Sequence, residues 1–495
     1  MTVRRGFVWF LFFNLLVWTL VSQLRISLPM DTQEAIVWGK YSWLGTTKHP
    51  PLSGIVAYVF YRLCGNWDGS MYLLSQLCVV LGVVYIYRLA KLFLNPTKAM
   101  LAALLQFGVI YYDFSSVEFN VNVLSLALWP MCAYYFWRAY TENHLRDWLL
   151  FGMFCALNIL NKYVSALQIL SFALFVLWSG STFSLLKNYK PYAAIFLCLL
   201  VLMPHLYWLM TNNFETLNYF AARSGGGKIS GPWGHAVYPL KFIGAQILFC
   251  AAALLTYLSF YGKNKCAAPV SLKSIFSCQN DQQGTEAKFI FSGTIAPIVI
   301  FALISLINGH ALKSMWGFPC LYMLGIFVFY FFPLQWSISK EKTFMKIMLA
   351  WSMVFACAYA LQCLLTKSNR FTSDCRQIVS VLEQKWQENF AHKPLKYVGG
   401  SEWTVNMVNL YASHDVKPMV WLSPKNNPWL DREDFEQNGA LLVTEDLGAY
   451  EQMRKNYPIS EPQKITLEYR NYFGKTKYKD MFYGFYMPKE QIDEK

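Results

Sequence analysis

Two acidic side chains lie just after one of the most apolar segments of this 495-residue chain. Asp31 and Glu34 follow the apolar run 7–24, and Lys48 and His49 end the same polar stretch. A carboxylate can accept a proton from an attacking hydroxyl or orient a neighbouring cation. The two acids are three positions apart, so they share one face if the segment is helical. The alternative is a pair of solvated acids at a helix start, where the helix dipole favours them.

Lys162 interrupts an apolar stretch that runs from 149 to 177. A charged side chain near lipid is costly, so it normally faces a cavity or a partner. The alternative is a lysine whose long side chain reaches the membrane surface. Cations around a site at membrane level suit a phosphate. Lys313 and Trp316 lie in another short polar segment between apolar runs, where the tryptophan could contact a sugar or belong to an interfacial belt.

The composition indicates which elements must position these residues. Hydrophobic residues make up 55% of the chain and charged residues 15%, with a mean hydropathy of +0.28. These values are typical of a polytopic, mainly α-helical membrane protein. The net charge of +14 does not indicate nucleic acid as a partner, because the cations fall in short clusters between apolar runs.

Windows long enough to cross a bilayer predict about 11 transmembrane helices. They are 7–24, 71–93, 99–113, 119–138, 147–161, 163–180, 191–210, 239–261, 289–308, 314–333 and 345–366. With a cytoplasmic N-terminus, nearly all short basic clusters fall on the cytoplasmic side. The polar segments described above then lie on the external face, together with the glycine-rich segment 225–227, and 263–288 becomes a cytoplasmic loop. The run 51–64 is predicted to be a short interfacial helix that begins at Pro50-Pro51.

The charge density rises after residue 366, which predicts a membrane domain at 1–366 and a soluble domain at 367–495. The soluble domain is expected to be α/β and extracytoplasmic. Alternating runs predict strands at 396–399, 418–422, 440–444 and 465–469. Apolar periodicity predicts helices at 375–390, 403–412 and 447–456. The histidine and cysteine spacings do not indicate a metal site or a cofactor, and a divalent metal stays an open alternative.

Several of these motifs resemble a known superfamily. The acids after the first span, the segment ending in His49-Pro-Pro-Leu52, the break at 160–163 and Lys313-Ser-Met-Trp316 occur in the order found in the polyprenyl-phosphate-sugar-dependent glycosyltransferases of the C-type membrane fold. This superfamily includes protein O-mannosyltransferases and the bacterial lipid A aminoarabinose transferases. The resemblance covers about residues 1–335, and the tail also resembles the external domain of bacterial members.

The resemblance implies a role for each residue type. Asp31, with Glu34 beside it, would be the essential acid, and the donor phosphate would be bound by Lys48, His49, Lys162 and Lys313. Tyr163 and Trp316 would contact substrate. Many members carry an acid where this chain has Asn120, so Asn120 would position substrate without accepting a proton, and Glu118 is the alternative acid.

The implied function is inverting transfer of a single sugar from polyprenyl (undecaprenyl) phosphate to lipopolysaccharide, at lipid A or the core, on the periplasmic face of the bacterial inner membrane. Three alternatives remain open on the sequence. A protein O-glycosyltransferase would have the same fold. A transporter or flippase for lipid-linked substrates would show inverted repeats, and none is visible. A lipid-binding sensor would tolerate the loss of Asp31.

Overall fold

A computed structural model describes residues 3–224, 232–264, 281–366, 373–391, 393–423, 426–470 and 476–487. The predicted glycine-rich loop at 225–227 and most of the predicted loop 263–288 lie outside these ranges. The described residues of the first three quarters of the chain are mainly helical: α1 (Val3–Ser22), α2 (Met30–Tyr41), α3 (Leu52–Leu63), α4 (Gly69–Ala90), α5 (Pro96–Leu104), α6 (Val121–Glu142), α7 (Leu145–Asn161), α8 (Ala166–Trp178), α9 (Thr182–Leu186), α10 (Tyr189–Thr211), α11 (Glu215–Ser224), α12 (Pro232–Phe249), α13 (Ala251–Asn264), α14 (Gln282–Asn308), α15 (Leu324–Phe331) and α16 (Ile338–Leu365). Short 3₁₀ segments occur between α5 and α6, at Tyr163–Ser165, and at Ser314–Met323.

The C-terminal quarter of the chain alternates helices and strands. Its elements are α17 (Cys375–Asn389), β1 (Tyr397–Gly400), α18 (Glu402–Tyr411), β2 (Lys417–Val420), α19 (Arg432–Asn438), β3 (Ala440–Thr444), α20 (Leu447–Asn456), β4 (Gln463–Arg470) and β5 (Thr476–Tyr486). The four predicted strands and three predicted helices of this region are confirmed, each to within about two residues at either end. The sequence did not predict β5 or α19.

The strands form one mixed sheet in the order β2-β1-β3-β5-β4. β1 pairs with β2 and β3 in parallel, whereas β5 runs antiparallel to both β3 and β4. β1 and β3 are buried throughout and apolar, as expected for parallel strands covered on both faces. One core lies between the sheet and α17 and α18, and it includes Trp386, Trp403 and Phe485.

The chain divides into two compact units. The first contains 1–21, 48–52 and 72–358, and the second contains 22–47, 53–71 and 359–495. α2 and most of α3 therefore belong to the same unit as the sheet, although the sequence placed them with the membrane spans. The predicted domain boundary near residue 366 stays a prediction.

The membrane class predicted from composition is confirmed. Among the described residues, six helices are long and apolar enough to cross a bilayer, and a seventh span is counted if the bent pair α12 and α13 is one span. The count of about 11 is not confirmed, because several of the apolar windows are not continuous helices. Residues 99–113 divide into the nine-residue α5 and 3₁₀ turns, and α12 meets α13 at 61°.

Small residues allow the helices of the first unit to pack closely. A Cβ atom on Gly152 of α7 would lie 2.2 Å from the carbonyl oxygen of Ala194 on α10, and one on Gly82 of α4 would lie 2.3 Å from that of Leu126 on α6. Small residues serve this purpose in membrane helix packing, where dispersion contacts must replace the hydrophobic effect. α6 and α7 are among the helices packed in this way; Asn120 precedes α6, and Lys162 and Tyr163 follow α7.

Candidate active site

The break between α7 and α8 is held against the first turns of α6. α7 ends at Asn161, and Lys162 follows in an extended conformation with its N–H bonded to the Asn158 carbonyl at 2.9 Å. The Asn161 carboxamide donates to the Val121 carbonyl at 2.7 Å and to the Ser125 hydroxyl at 2.9 Å. These buried hydrogen bonds fix the backbone at Lys162, so the position from which its side chain extends is also fixed.

Lys162 is buried, with 7% of its surface exposed. Its Nζ donates to Oδ1 of Asn122 at 2.6 Å. Among the described residues no carboxylate forms an ion pair with it. A buried ammonium bonded only to a neutral oxygen is costly. Burial, with a smaller contribution from the charge of Arg223, accordingly lowers the pKa of Lys162 to about 8. Such a site favours an anion that would neutralise the charge.

His49 lies in the same positive environment. Enclosure of the ring, followed by the charges of Lys162, Lys48 and Arg223, lowers the pKa of His49 to about 3. Enclosure and like charge act in the same direction, so the imidazole is neutral at pH 7. A neutral imidazole can donate one hydrogen bond to a phosphate oxygen without adding to the repulsion among the lysines.

Arg223 and Lys313 complete a group that we name the cation cluster: Lys48, His49, Lys162, Arg223 and Lys313. Arg223 lies at the end of α11 and lowers the pKa of Lys313 after the effect of burial. Its guanidinium donates to the Tyr219 hydroxyl at 2.6 Å and lies over that ring. Within the described ranges neither Arg223 nor Lys313 forms an ion pair with a carboxylate.

The backbone beside Lys313 is held by a polar contact between elements. The Ser314 carbonyl accepts from the Tyr111 hydroxyl at 2.9 Å and from Nε2 of Gln246 at 3.0 Å. Trp316, three residues after Lys313, is buried and stacks on Phe220 of α11 and on Phe301 of α14. The indole is thus part of the packing that holds α11 near Lys313.

Other predicted substrate residues also contact the elements around the cation cluster. The Tyr163 hydroxyl is 2.7 Å from Nε2 of His205 and also bonds to the side chain of Thr216 on α11. Oδ1 of Asn120 accepts from the backbone N–H of Asn122 at 2.9 Å, which makes Asn120 the N-cap of α6. Glu118 is half-buried two residues earlier.

The comparisons with known proteins agree with this architecture. The sequence profile of the dolichyl-phosphate-mannose-protein mannosyltransferase family matches residues 48–208. The crystal structure of ArnT from Cupriavidus metallidurans bound to undecaprenyl phosphate is similar over 97% of this chain and 98% of that chain, with a TM-score of 0.66 and 12% identity. The chain therefore has the fold of this ArnT. The apo form of the same ArnT gives a TM-score of 0.62 at 12% identity, over 97% of each chain.

A curated relative extends the similarity in sequence. The lipopolysaccharide core galacturonosyltransferase RgtA of Rhizobium johnstonii is 22% identical over 314 residues, which are 61% of this chain. The chain spans about 60% of the length of that relative. The resemblance to the GT-C superfamily inferred from the sequence motifs is confirmed, as is the mainly helical membrane fold with a C-terminal α/β region.

The predicted catalytic acids Asp31 and Glu34 lie in the second unit. The segment is helical, which was the condition for the two acids to share one face. Both acids lie in the first two turns of α2. Glu34 is buried at 8% exposure and Asp31 is half-buried. Their convergence with the cation cluster stays a prediction. No group of three His, Cys, Asp or Glu side chains within the described part of the chain could hold a metal ion.

Two residues of the site were not selected from the sequence. They are Asn122, whose side-chain oxygen accepts from Lys162, and Arg223 at the end of α11. The Asn-x-Asn spacing at a predicted helix start is a capping signal. It assigns the capping role to Asn120 and leaves the side chain of Asn122 available to another partner. Nothing in the local sequence brings Arg223 to Lys162 and Lys313, which are 61 and 90 positions away.

Proposed function

We propose that this chain is an inverting glycosyltransferase that moves a single sugar from a polyprenyl phosphate, such as undecaprenyl phosphate, to lipopolysaccharide at lipid A or the core. The observation that carries the proposal is the cation cluster, whose Lys162, Arg223 and Lys313 form no ion pair with a carboxylate among the described residues. The reaction would occur at the periplasmic face of the bacterial inner membrane, with the N-terminus cytoplasmic and the C-terminal region periplasmic.

The charge distribution suits the proposed leaving group. An acceptor oxygen attacks the anomeric carbon from the face opposite the phosphate, the bond between that carbon and the phosphate oxygen breaks, and the phosphate takes the electron pair. The phosphate thereby gains negative charge in the transition state. Fixed cations close to that charge stabilise it more than they stabilise the donor, which lowers the barrier. Lys162 is the strongest candidate because it is buried and its charge is the least solvated.

The acids of α2 have a separate proposed role. Asp31 would accept the proton of an acceptor hydroxyl, or orient the acceptor if the acceptor is an already ionised phosphate. Glu34 would support it from the adjacent turn of the same helix. Glu118, Asn120, Tyr163 and Trp316 would contact the sugar or the acceptor.

The comparisons support the donor and acceptor classes without fixing them. The ArnT structure holds undecaprenyl phosphate, and RgtA acts on the lipopolysaccharide core. The matched profile is named for a protein mannosyltransferase, which favours protein O-glycosylation as the second candidate. Both candidates use a lipid-phosphate donor, so the cation cluster serves either one.

The test is mass spectrometry of lipopolysaccharide from four strains of the host: wild type, a gene deletion, and the deletion complemented with Lys162→Met or Lys342→Met. Lys342 is an exposed lysine on α16 and is the matched control. We expect one sugar mass to be present with the wild type and Lys342→Met and absent with the other two. Identical lipopolysaccharide in all four strains would refute the lipid acceptor. Loss of the same sugar from a protein would instead establish the second candidate.

A further inference from the structure

The C-terminal end of α2 is joined to the α/β region by a network centred on Tyr41. The Tyr41 hydroxyl donates to Oδ1 of Asp415 at 3.0 Å and accepts from Nδ2 of Asn409 at 3.0 Å. The Lys40 ammonium lies 2.5 Å from the same Asp415 oxygen. The Tyr41 ring stacks on Trp429, with centroids 5.4 Å apart. Four separate contacts from the α/β region thus meet the last two residues of α2.

The partners of Tyr41 are themselves held in place. The same Asn409 carboxamide donates to the Val416 carbonyl at 2.7 Å, at the entrance to β2. The Trp429 indole donates to the Pro418 carbonyl of β2 at 3.0 Å. The network therefore connects α2 to the edge strand of the sheet by side chains whose own positions are fixed.

A second network joins α3 to the same region through Asp68. One carboxylate oxygen of Asp68 accepts from the Tyr61 hydroxyl at 3.0 Å, and the other accepts from Arg376 and from the Tyr411 hydroxyl, each at 3.1 Å. The Arg376 guanidinium also lies over the Tyr411 ring, 4.7 Å from its centroid. Asp68 therefore links the end of α3 to the start of α17 and the end of α18.

α2 and α3 pack too closely to move independently. A Cβ atom on Gly39 would lie 2.0 Å from the carbonyl oxygen of Gly54 and 2.5 Å from Cβ of Tyr58. Seven of the twelve residues of α2 are buried, and Gln33 is completely buried with its amide donating to the Leu28 carbonyl at 2.7 Å. α2, nearly all of α3 and the α/β region belong to the same compact unit.

We infer that Asp415 and Tyr41 are positioning residues, which let the α/β region set the place and direction of α2 and therefore of Asp31. The inference rests on the proposed function for the catalytic role of Asp31. Ten residues separate Asp31 from Tyr41, which is about 15 Å along a helix, so a change of angle at Tyr41 displaces Asp31. The exposed Lys40–Asp415 pair contributes little by itself. The Tyr41 hydroxyl and ring contacts define the angle.

The test uses the full-length protein in lipid nanodiscs with Asp415→Asn and Tyr41→Phe as variants. Asp480→Asn is the matched control, because Asp480 on β5 also forms an ion pair, with Lys464 at 2.8 Å, and accepts from Thr466 at 2.7 Å. Both partners of Asp480 lie on the neighbouring strand β4. The measurements are hydrogen exchange of the α2 amides, binding of undecaprenyl phosphate, and kcat for sugar transfer.

Both Asp415→Asn and Tyr41→Phe should speed exchange in α2 and lower kcat by about 10- to 100-fold, since a misplacement of a catalytic group by about 1 Å can cost about 100-fold. Undecaprenyl phosphate binding should stay within about twofold of wild type, because α2 is not expected to bind the phosphate, and Asp480→Asn should change none of the three. The separation of kcat from phosphate binding distinguishes positioning from general destabilisation.

Exchange in α2 that is no faster in Asp415→Asn and Tyr41→Phe than in Asp480→Asn would overturn the inference and leave the proposed function standing. Faster exchange with unaltered kcat would overturn the catalytic part. A wild-type protein that transfers no sugar, while both variants still loosen α2, would refute the proposed function and with it the effect on chemistry.

Discussion

Replacing Lys162 by methionine should weaken phosphate binding while leaving the ligand-free protein at least as stable as the wild type. Methionine retains most of the apolar stem of lysine and removes the ammonium group. The opposite signs of the two effects arise because the buried charge lacks a described carboxylate partner. A residue kept for its chemistry commonly carries such a cost in stability.

The magnitude of each effect follows from the surroundings of Lys162. Its pKa falls from the ordinary 10.5 to about 8, a difference of about 2.5. At about 1.36 kcal/mol per pKa unit, the charged form destabilises the fold by about 3 kcal/mol. Losing the hydrogen bond from Lys162 leaves the Asn122 oxygen unsatisfied, which costs about 1–3 kcal/mol. The net gain in the free energy of unfolding of Lys162→Met is therefore roughly 1 kcal/mol. Removing a buried charge from a bound phosphate costs about 3 kcal/mol, or about 150-fold in Kd.

The pH dependence provides an internal check on this reasoning. The folded pKa lies below the unfolded value, so the unfolded state binds more protons between pH 8 and 10.5. The wild type therefore gains stability as the pH rises through this window, and its disadvantage disappears above the window. Lys162→Met should show no such gain.

The assays are thermal unfolding of the purified protein at pH 7.5 and pH 10, and titration with undecaprenyl phosphate at pH 7.5. Lys342→Met is the control for the loss of an exposed lysine. A Lys162→Met protein that unfolds well below the wild-type temperature would show that Lys162 is a structural residue. Undiminished phosphate affinity would show that it does not face the donor.

The remaining predictions concern other members of the proposed site. Asp31→Asn should abolish sugar transfer without changing membrane insertion or phosphate binding; sugar content of lipopolysaccharide that matches the wild type would remove Asp31 from the mechanism. Wild-type stability should fall by up to about 2 kcal/mol from pH 6.5 to pH 5, because His49 has a folded pKa of about 3; His49→Gln should lose this dependence in denaturant titrations, and equal slopes would contradict it. Arg223→Gln should weaken undecaprenyl phosphate binding by about tenfold and reduce its salt dependence; unaltered salt dependence would place Arg223 outside the site.

The sequence predicted the α/β region well because its elements are short and have clear boundaries. β1, β3 and α20 lie between turn residues and have simple apolar patterns, so the local sequence was sufficient to predict their bounds. β5 was missed because lysines and aromatic residues alternate along it. One of these lysines, Lys479, is buried over the Trp403 ring at 3.7 Å and paired with Glu445 at 2.7 Å, which only the tertiary structure supplies.

The membrane region was harder, because an apolar window reports composition and not the continuity of a helix. Residues 239–261 form one window but two helices with a 61° bend, and 314–323 is apolar but 3₁₀-helical around Pro319. Lys162 could be found from the sequence because it interrupts an apolar run. Arg223 could not, since it comes from a short polar helix whose place depends on contacts between distant segments such as Phe220 and Trp316.

The excess of positive charge at the cation cluster has a consequence for turnover. On the proposed function the donor is a phosphodiester with one negative charge, whereas the phosphate released by transfer is a monoester that carries between one and two at neutral pH. Lys162, Lys313 and Arg223 form no ion pair with a described carboxylate, so the spent carrier lipid should bind more tightly than the fresh donor. The enzyme should then be inhibited by its own product, with carrier departure limiting kcat. A burst of one sugar per protein in the first turnover, followed by a slower steady rate, would reveal it.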